Sequence, residues 1–125
     1  YDTLRERILN SDTRRYLRKV VTRDPRKHEN DTHPDLVEFT SASPSEILHE
    51  LAQRGRKKTA LLGGGEIYSE YLNSGQVDEL WVTVEPLLFG AGTPLFSSQS
   101  EQKLELISSE PLSKNTILLK YKPVR

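Results

Sequence analysis

The stretch from Ala60 to Leu72, ALLGGGEIYSEYL, constrains this chain more than any other, because an apolar run meets three glycines and continues as an amphipathic helix. Glycine lacks a Cβ, so its backbone N–H groups can come close to an anion. The helix that follows adds unpaired amides and the positive end of its dipole. Two readings stay open from these residues alone: a cradle for a pyrophosphate, or a sharp turn from strand into a helix packed on its own sheet.

Composition narrows the partners. At 125 residues the chain reads as one domain, residues 1–125, long enough to bury a core and too short for two. Lysine plus arginine equals aspartate plus glutamate at 18 each, so no overall field favours nucleic acid or an anionic membrane, and an anion site must be local. There is no cysteine, which removes disulfides, thiolate nucleophiles and thiolate metal sites and suits a reducing compartment. His28, His33 and His49 lack the i, i+4 spacing of a zinc helix, so no metal is expected. No apolar run reaches the roughly 18 residues of a membrane span and no signal-peptide pattern opens the chain. The expectation is a soluble, cytoplasmic protein acting on a small molecule, without nucleic acid or membrane. Methionine is absent, so Tyr1 is not a translation start and the chain is expected to be part of a longer product.

Along the chain, Asp2 to Leu9 reads as the end of a helix and Leu17 to Thr22 as a short buried strand stopped by Arg23-Asp24-Pro25. Residues 26–34 form a polar loop, and Leu36 to Thr40 a second strand with Val37 and Phe39 on one face. Ser43-Pro44-Ser45-Glu46 starts a helix to about Arg54, with serine as N-cap, proline in the first turn and glutamate closing a capping box. Ile47, Leu48, Leu51 and Ala52 form its buried stripe and Gly55 its stop; the basic residues Arg54, Arg56, Lys57 and Lys58 stay in solvent. Thr59 to Leu62 reads as an apolar strand and the helix after the glycines ends at Asn73-Ser74-Gly75. Asp78 to Leu88 is the longest strand candidate, FGAGTPL a glycine-rich loop, and Leu104 to Ser109 with Thr116 to Tyr121 a closing antiparallel pair.

Strands alternating with helices argue an α/β layered domain with a mostly parallel central sheet, flanking helices and an antiparallel C-terminal edge hairpin. In such sheets ligands sit beyond the carboxyl ends of the strands, where the glycine run and the pair Thr22-Arg23 both fall. A pyrophosphate on the Gly63 to Glu66 backbone, with a second phosphate held by a hydroxyl and a guanidinium, suits NADPH better than NADH, because arginine matches phosphate by a two-point fork. The pattern is neither GxGxxG nor a P-loop, which argues against ATP hydrolysis.

From Ala60 to Phe96 the ordered motifs are the glycine run, an aromatic on the helix, VDEL opening a strand, a proline, and GAGTPLF. In these the chain resembles the dihydrofolate-reductase-like fold, specifically the family that includes the C-terminal reductase domain of the bifunctional riboflavin-biosynthesis deaminase/reductase. VVTRDP, Val20 to Pro25, resembles that family's strand end before the adenosine-side phosphate. The resemblance implies that Gly63, Gly64, Gly65, Glu66, Ile67 and Tyr68 line the pyrophosphate and nicotinamide side of NADPH, and that Thr22 and Arg23 hold its 2′-phosphate end. It places Leu62 and Thr83 near the reacting rings, with ordinary core as the alternative for Leu62. On the long strand Glu85 is the carboxylate candidate for facing a substrate pocket beside Thr83, with the sheet surface as its alternative. Tyr71 is expected in helix packing.

It further implies a cis peptide between the first two glycines, N-terminal strands preceding Tyr1, and a homodimer through the Trp81 strand face and the FGAGTPLF segment. The riboflavin-pathway reductases usually carry a glutamate just before a glycine pair, where this chain has Gly63.

The function implied is an NADPH-dependent reductase of a pterin-like or pyrimidine-like heterocycle. The narrower alternative is the 5-amino-6-(5-phosphoribosylamino)uracil reductase of riboflavin biosynthesis. A third reading is a dinucleotide-binding module without turnover.

Overall fold

The computed structural model describes residues 16–97 and 101–125, which fall into two compact units divided between Ser43 and Pro44. The helix expected at Asp2 to Leu9 lies outside the described residues.

In the first unit two strands, β1 (Arg18–Val21) and β2 (Val37–Thr40), pair in parallel with Arg18 opposite Val37 and Val21 opposite Thr40. Both are rich in β-branched residues, and Val37 is completely buried. Lys19 and Glu38 stand opposite each other and form an ion pair at 3.0 Å, with side chains only 11% and 18% exposed. The same Glu38 carboxylate accepts the backbone N–H of Asp35 at 3.1 Å, bracing a turn in which Asp35 takes φ 62. The connection is not simply the loop expected: Pro25–Asp31 winds as a 3-10 helix kinked at His28, with proline at its start, where a missing N–H costs nothing. His28 stacks on Phe39 at 4.7 Å between ring centroids.

The second unit begins with α1 (Pro44–Gln53), starting where the serine-proline signal predicts. Pro44, Ile47 and Leu51 are buried at i, i+3 and i+7, whereas Ala52 is exposed, because the buried stripe is narrower than the pattern suggested. Gly55, at φ 77, ends the helix. Its N–H reaches the carbonyl of Ala52 and that of Arg56 reaches Leu51, the paired bonds of a Schellman cap.

Thr59 to Leu62 does not join a sheet. The segment has no ladder among the described residues, and Leu62 is 88% exposed. Apolar, β-prone residues become a strand only where a neighbouring strand takes their N–H and C=O groups.

Helix α2 (Gly65–Asn73) follows, burying Ser69 and Tyr71, and stops at Ser74 and Gly75 as predicted. Strand β3 (Leu80–Val84) is shorter than the 78–88 expected: Pro86 ends it, and Leu87, Leu88 and Phe89 run on as exposed loop. Strands β4 (Leu104–Pro111) and β5 (Ile117–Pro123) form the predicted hairpin, and the sheet order is β3-β5-β4, antiparallel throughout.

The register divides this sheet into two faces. Leu80, Val82 and Val84 share one with Tyr121, Leu119 and Ile117; Trp81 and Thr83 share the other with Lys120 and Leu118. A bulge at Ile107 keeps the alternation of β4 in step with β5 on either side of it.

Candidate functional site

The three glycines stand in different surroundings. A Cβ on Gly63 would sit 2.9 Å from two carbons of Ile67, and one on Gly65 would sit 3.2 Å from the carbonyl oxygens of Pro94 and Leu95. Gly64 faces open space. It is the N-cap of α2 at φ −82 and ψ −178, with no side chain capping the helix. Its carbonyl closes the first turn by accepting the N–H of Tyr68 at 3.1 Å. The amides of Gly65, Glu66 and Ile67 belong to that first turn, where the helix itself supplies no acceptor. The cis peptide expected between Gly63 and Gly64 is not found; no peptide among the described residues is cis, and the extended backbone of Gly64 carries the chain into the helix without one.

The glycine-rich loop lies against this helix start. The N–H of Ser97 donates to Oγ of Ser69 at 2.9 Å, the two hydroxyl oxygens are 3.4 Å apart, and Tyr68 meets Phe96 edge-on at 6.4 Å. Ser69 is 5% exposed. Beneath the contact a cavity of about 140 Å³ is bounded by Ser69, Leu72, Phe96, Leu80 and Leu104. The apolar sheet face and α2 therefore share the cavity that Phe96 also borders. Sequence reasoning passed over Ser69 and Ser97. The available signal was a small hydroxyl residue one turn after Gly65, on a helix whose other inward positions are apolar or aromatic.

Electrostatically the helix start carries both signs. Its dipole is positive there, but Glu66 is exposed in the first turn, so a bound anion shares the helix end with a carboxylate. Tyr71, buried at the sixth position after Gly65, has its phenol pushed up from the ordinary value by burial, with the neighbouring Glu70 adding to the effect. This burial agrees with the packing role expected of it.

The remaining predicted positions lie elsewhere. Thr83 is exposed on the Trp81 face of the sheet, opposite the face on which Leu80 borders the α2 cavity. Glu85 is exposed just beyond β3 and accepts the hydroxyl of Thr116 at 3.1 Å. On the same polar face Lys120 covers the Trp81 ring at 4.2 Å and pairs with Glu110.

Thr22 and Arg23 follow β1 in the first unit, beyond the carboxyl end of the parallel pair. The N–H of Thr22 continues the ladder to Thr40, and its hydroxyl accepts the N–H of Asp24 at 3.4 Å. Arg23 projects into solvent. In the basic run before the glycines Arg54 pairs with Glu50, and the chain from Lys58 to Gly63 can span at most about 16 Å. Among the described residues no group of three or more His, Asp or Glu side chains is placed to hold a metal ion, and no helix is long and apolar enough to cross a membrane.

Comparison with known proteins gives a consistent picture. Residues 2–118 match the RibD C-terminal domain. The uncharacterized protein YyaP of Bacillus subtilis (strain 168) is 26% identical over 84 residues, 66% of this chain and 45% of its own. Among solved structures, a Shewanella sp. PV-4 protein ascribed to riboflavin biosynthesis superposes with a TM-score of 0.64 at 25% identity, over 87% of this chain and 59% of that one. A Thermotoga maritima diaminohydroxyphosphoribosylaminopyrimidine deaminase/5-amino-6-(5-phosphoribosylamino)uracil reductase superposes at 0.65 with 19% identity, over 95% of this chain and 43% of that one. The chain thus spans about half the length of these relatives. The fold is the dihydrofolate-reductase-like α/β arrangement that the glycine run, VDEL and GAGTPLF implied.

Proposed function

The chain belongs to the RibD C-terminal domain family, and from that membership we propose that it is an NADPH-dependent reductase that passes a hydride to a small heterocycle, pterin-like or pyrimidine-like. The observation that carries this reading is the uncapped N-terminus of α2, with open space before Gly64 and close packing at Gly63 and Gly65 that side chains would disrupt. Those features fit a dinucleotide: backbone amides suit the pyrophosphate, and the absence of a capping side chain leaves them to the ligand.

When bound, NADPH supplies the hydride, so the protein's task is binding, orientation and exclusion of water. In this proposal the amides of Gly65, Glu66 and Ile67 hold the pyrophosphate, and Tyr68 and Ile67 border the nicotinamide side. By the family resemblance, Thr22 and Arg23 are the candidates for the 2′-phosphate, with a hydroxyl and a guanidinium fork. The wall is built without Thr83 and Glu85, which lie on or beyond the opposite face of β3. The cysteine-free composition suits the cytoplasm, and the exposed Trp81 and Phe89 suit a homodimer. The reductase activity named for the Thermotoga protein makes 5-amino-6-(5-phosphoribosylamino)uracil reduction the first narrower reading to test.

The test is titration of the protein with NADPH and with NADH, followed by quenching of Trp81 and by nicotinamide fluorescence, with Arg23→Ala alongside. Tight NADPH binding, weak NADH binding and a selective loss of the former in the variant are expected. Binding of neither cofactor overturns the proposal.

A further inference from the structure

We infer that Ser69 is a positioning residue for the cofactor, acting through Ser97 and the glycine-rich segment before it; the inference rests on the NADPH reading above. Its hydroxyl is buried, lies one helical turn beyond Gly65, and accepts the N–H of Ser97 at 2.9 Å. That bond holds the loop where the carbonyls of Pro94 and Leu95 come within 3.2 Å of the Cβ position that Gly65 leaves empty. The edge contact between Tyr68 and Phe96 lies beside it. The first turn of α2 and the glycine-rich loop thereby form one wall, with helix amides as donors and loop carbonyls as acceptors. Ser69 touches no ligand in this arrangement. It sets where the loop stands relative to the amides, and a displacement of a few tenths of an ångström at Gly65 changes the geometry offered to the pyrophosphate.

The backbone N–H of Ser97 makes the shorter bond to Ser69, at 2.9 Å, and its hydroxyl a longer one at 3.4 Å, so substitutions separate the two. Ser69→Ala removes the acceptor and Ser97→Pro removes the backbone donor; Ser97→Ala keeps the 2.9 Å backbone bond and loses only the 3.4 Å one, and Ser69→Thr keeps the hydroxyl. The experiment measures NADPH dissociation constants for the wild type and these variants well below their melting temperatures, together with hydrogen exchange of the Ser97 amide. Ser69→Ala and Ser97→Pro are each expected to weaken NADPH binding by about tenfold. The double variant should be no weaker than Ser69→Ala alone within about twofold, because both substitutions break the bond from the Ser97 N–H. Ser97→Ala and Ser69→Thr should bind as the wild type does, which a general loss of packing would not produce. Exchange at the Ser97 amide should be slow in the wild type and fast in Ser69→Ala. A wild type that binds NADPH together with a Ser69→Ala variant of unchanged affinity overturns the positioning role and leaves the reductase reading standing. A wild type that binds no NADPH overturns both, and the exchange data then report only whether the Ser69 bond itself forms.

Discussion

Ser97 donates its backbone N–H to the hydroxyl of Ser69 across 28 residues of sequence, joining the glycine-rich loop to the helix that starts at Gly65. The two glycine-containing segments that stand out in the sequence are therefore neighbours in space, and each limits the side chains the other tolerates.

Gly65→Ala should destabilise the fold by about 1–3 kcal/mol, since the new methyl meets two backbone carbonyls that cannot rotate away. Gly64→Ala should cost less than about 1 kcal/mol, because its φ of −82 suits any residue and its Cβ meets open space. The two separate cleanly by thermal denaturation. On the proposed function, Gly64→Ala should nevertheless weaken NADPH, as its methyl projects where the ligand would lie.

Glu66→Gln should tighten NADPH binding by about two- to fivefold at low salt, because a carboxylate is removed from the helix end that the pyrophosphate is proposed to occupy. The gain should shrink as ionic strength rises. Fluorescence titration at two salt concentrations checks both statements.

Lys19→Met should destabilise the protein by about 1–3 kcal/mol. The Glu38 carboxylate, 18% exposed, would lose the Lys19 ammonium at 3.0 Å. The double variant Lys19→Met, Glu38→Leu should recover part of the loss, and urea denaturation of the three proteins measures it.

Stability should fall at alkaline pH through Tyr71. Its phenol is raised above 10.0 in the folded chain, so the folded state retains a proton that the unfolded state releases. The contribution is fully present below pH 10.0 and is lost as pH rises from there through the folded value. Tyr71→Phe should remove this part of the alkaline decline in a melting-temperature profile.

Much of the architecture was legible because it depends on neighbours in sequence. The serine-proline start of α1, its end at Gly55, the end of α2 at Gly75 and the C-terminal hairpin follow from capping and turn chemistry within a few residues. The glycine run was legible as an approach to a helix N-terminus for the same reason. Thr59 to Leu62 was read as a strand from its residue types, but strandhood depends on a partner's hydrogen bonds, and local sequence does not supply one.

The start of α1, the ends of both α-helices, the alternation of β3 and the glycine-led start of α2 are readable locally, since these are set by backbone conformation and side-chain period. Only the tertiary structure decided that Gly65 is fitted to the carbonyls of Pro94 and Leu95, that Ser69 holds Ser97, and that Thr83 faces away from the cavity beside α2. Such contacts depend on where distant segments of the chain come to rest, and short-range propensity carries no information about a hydrogen bond that spans 28 residues.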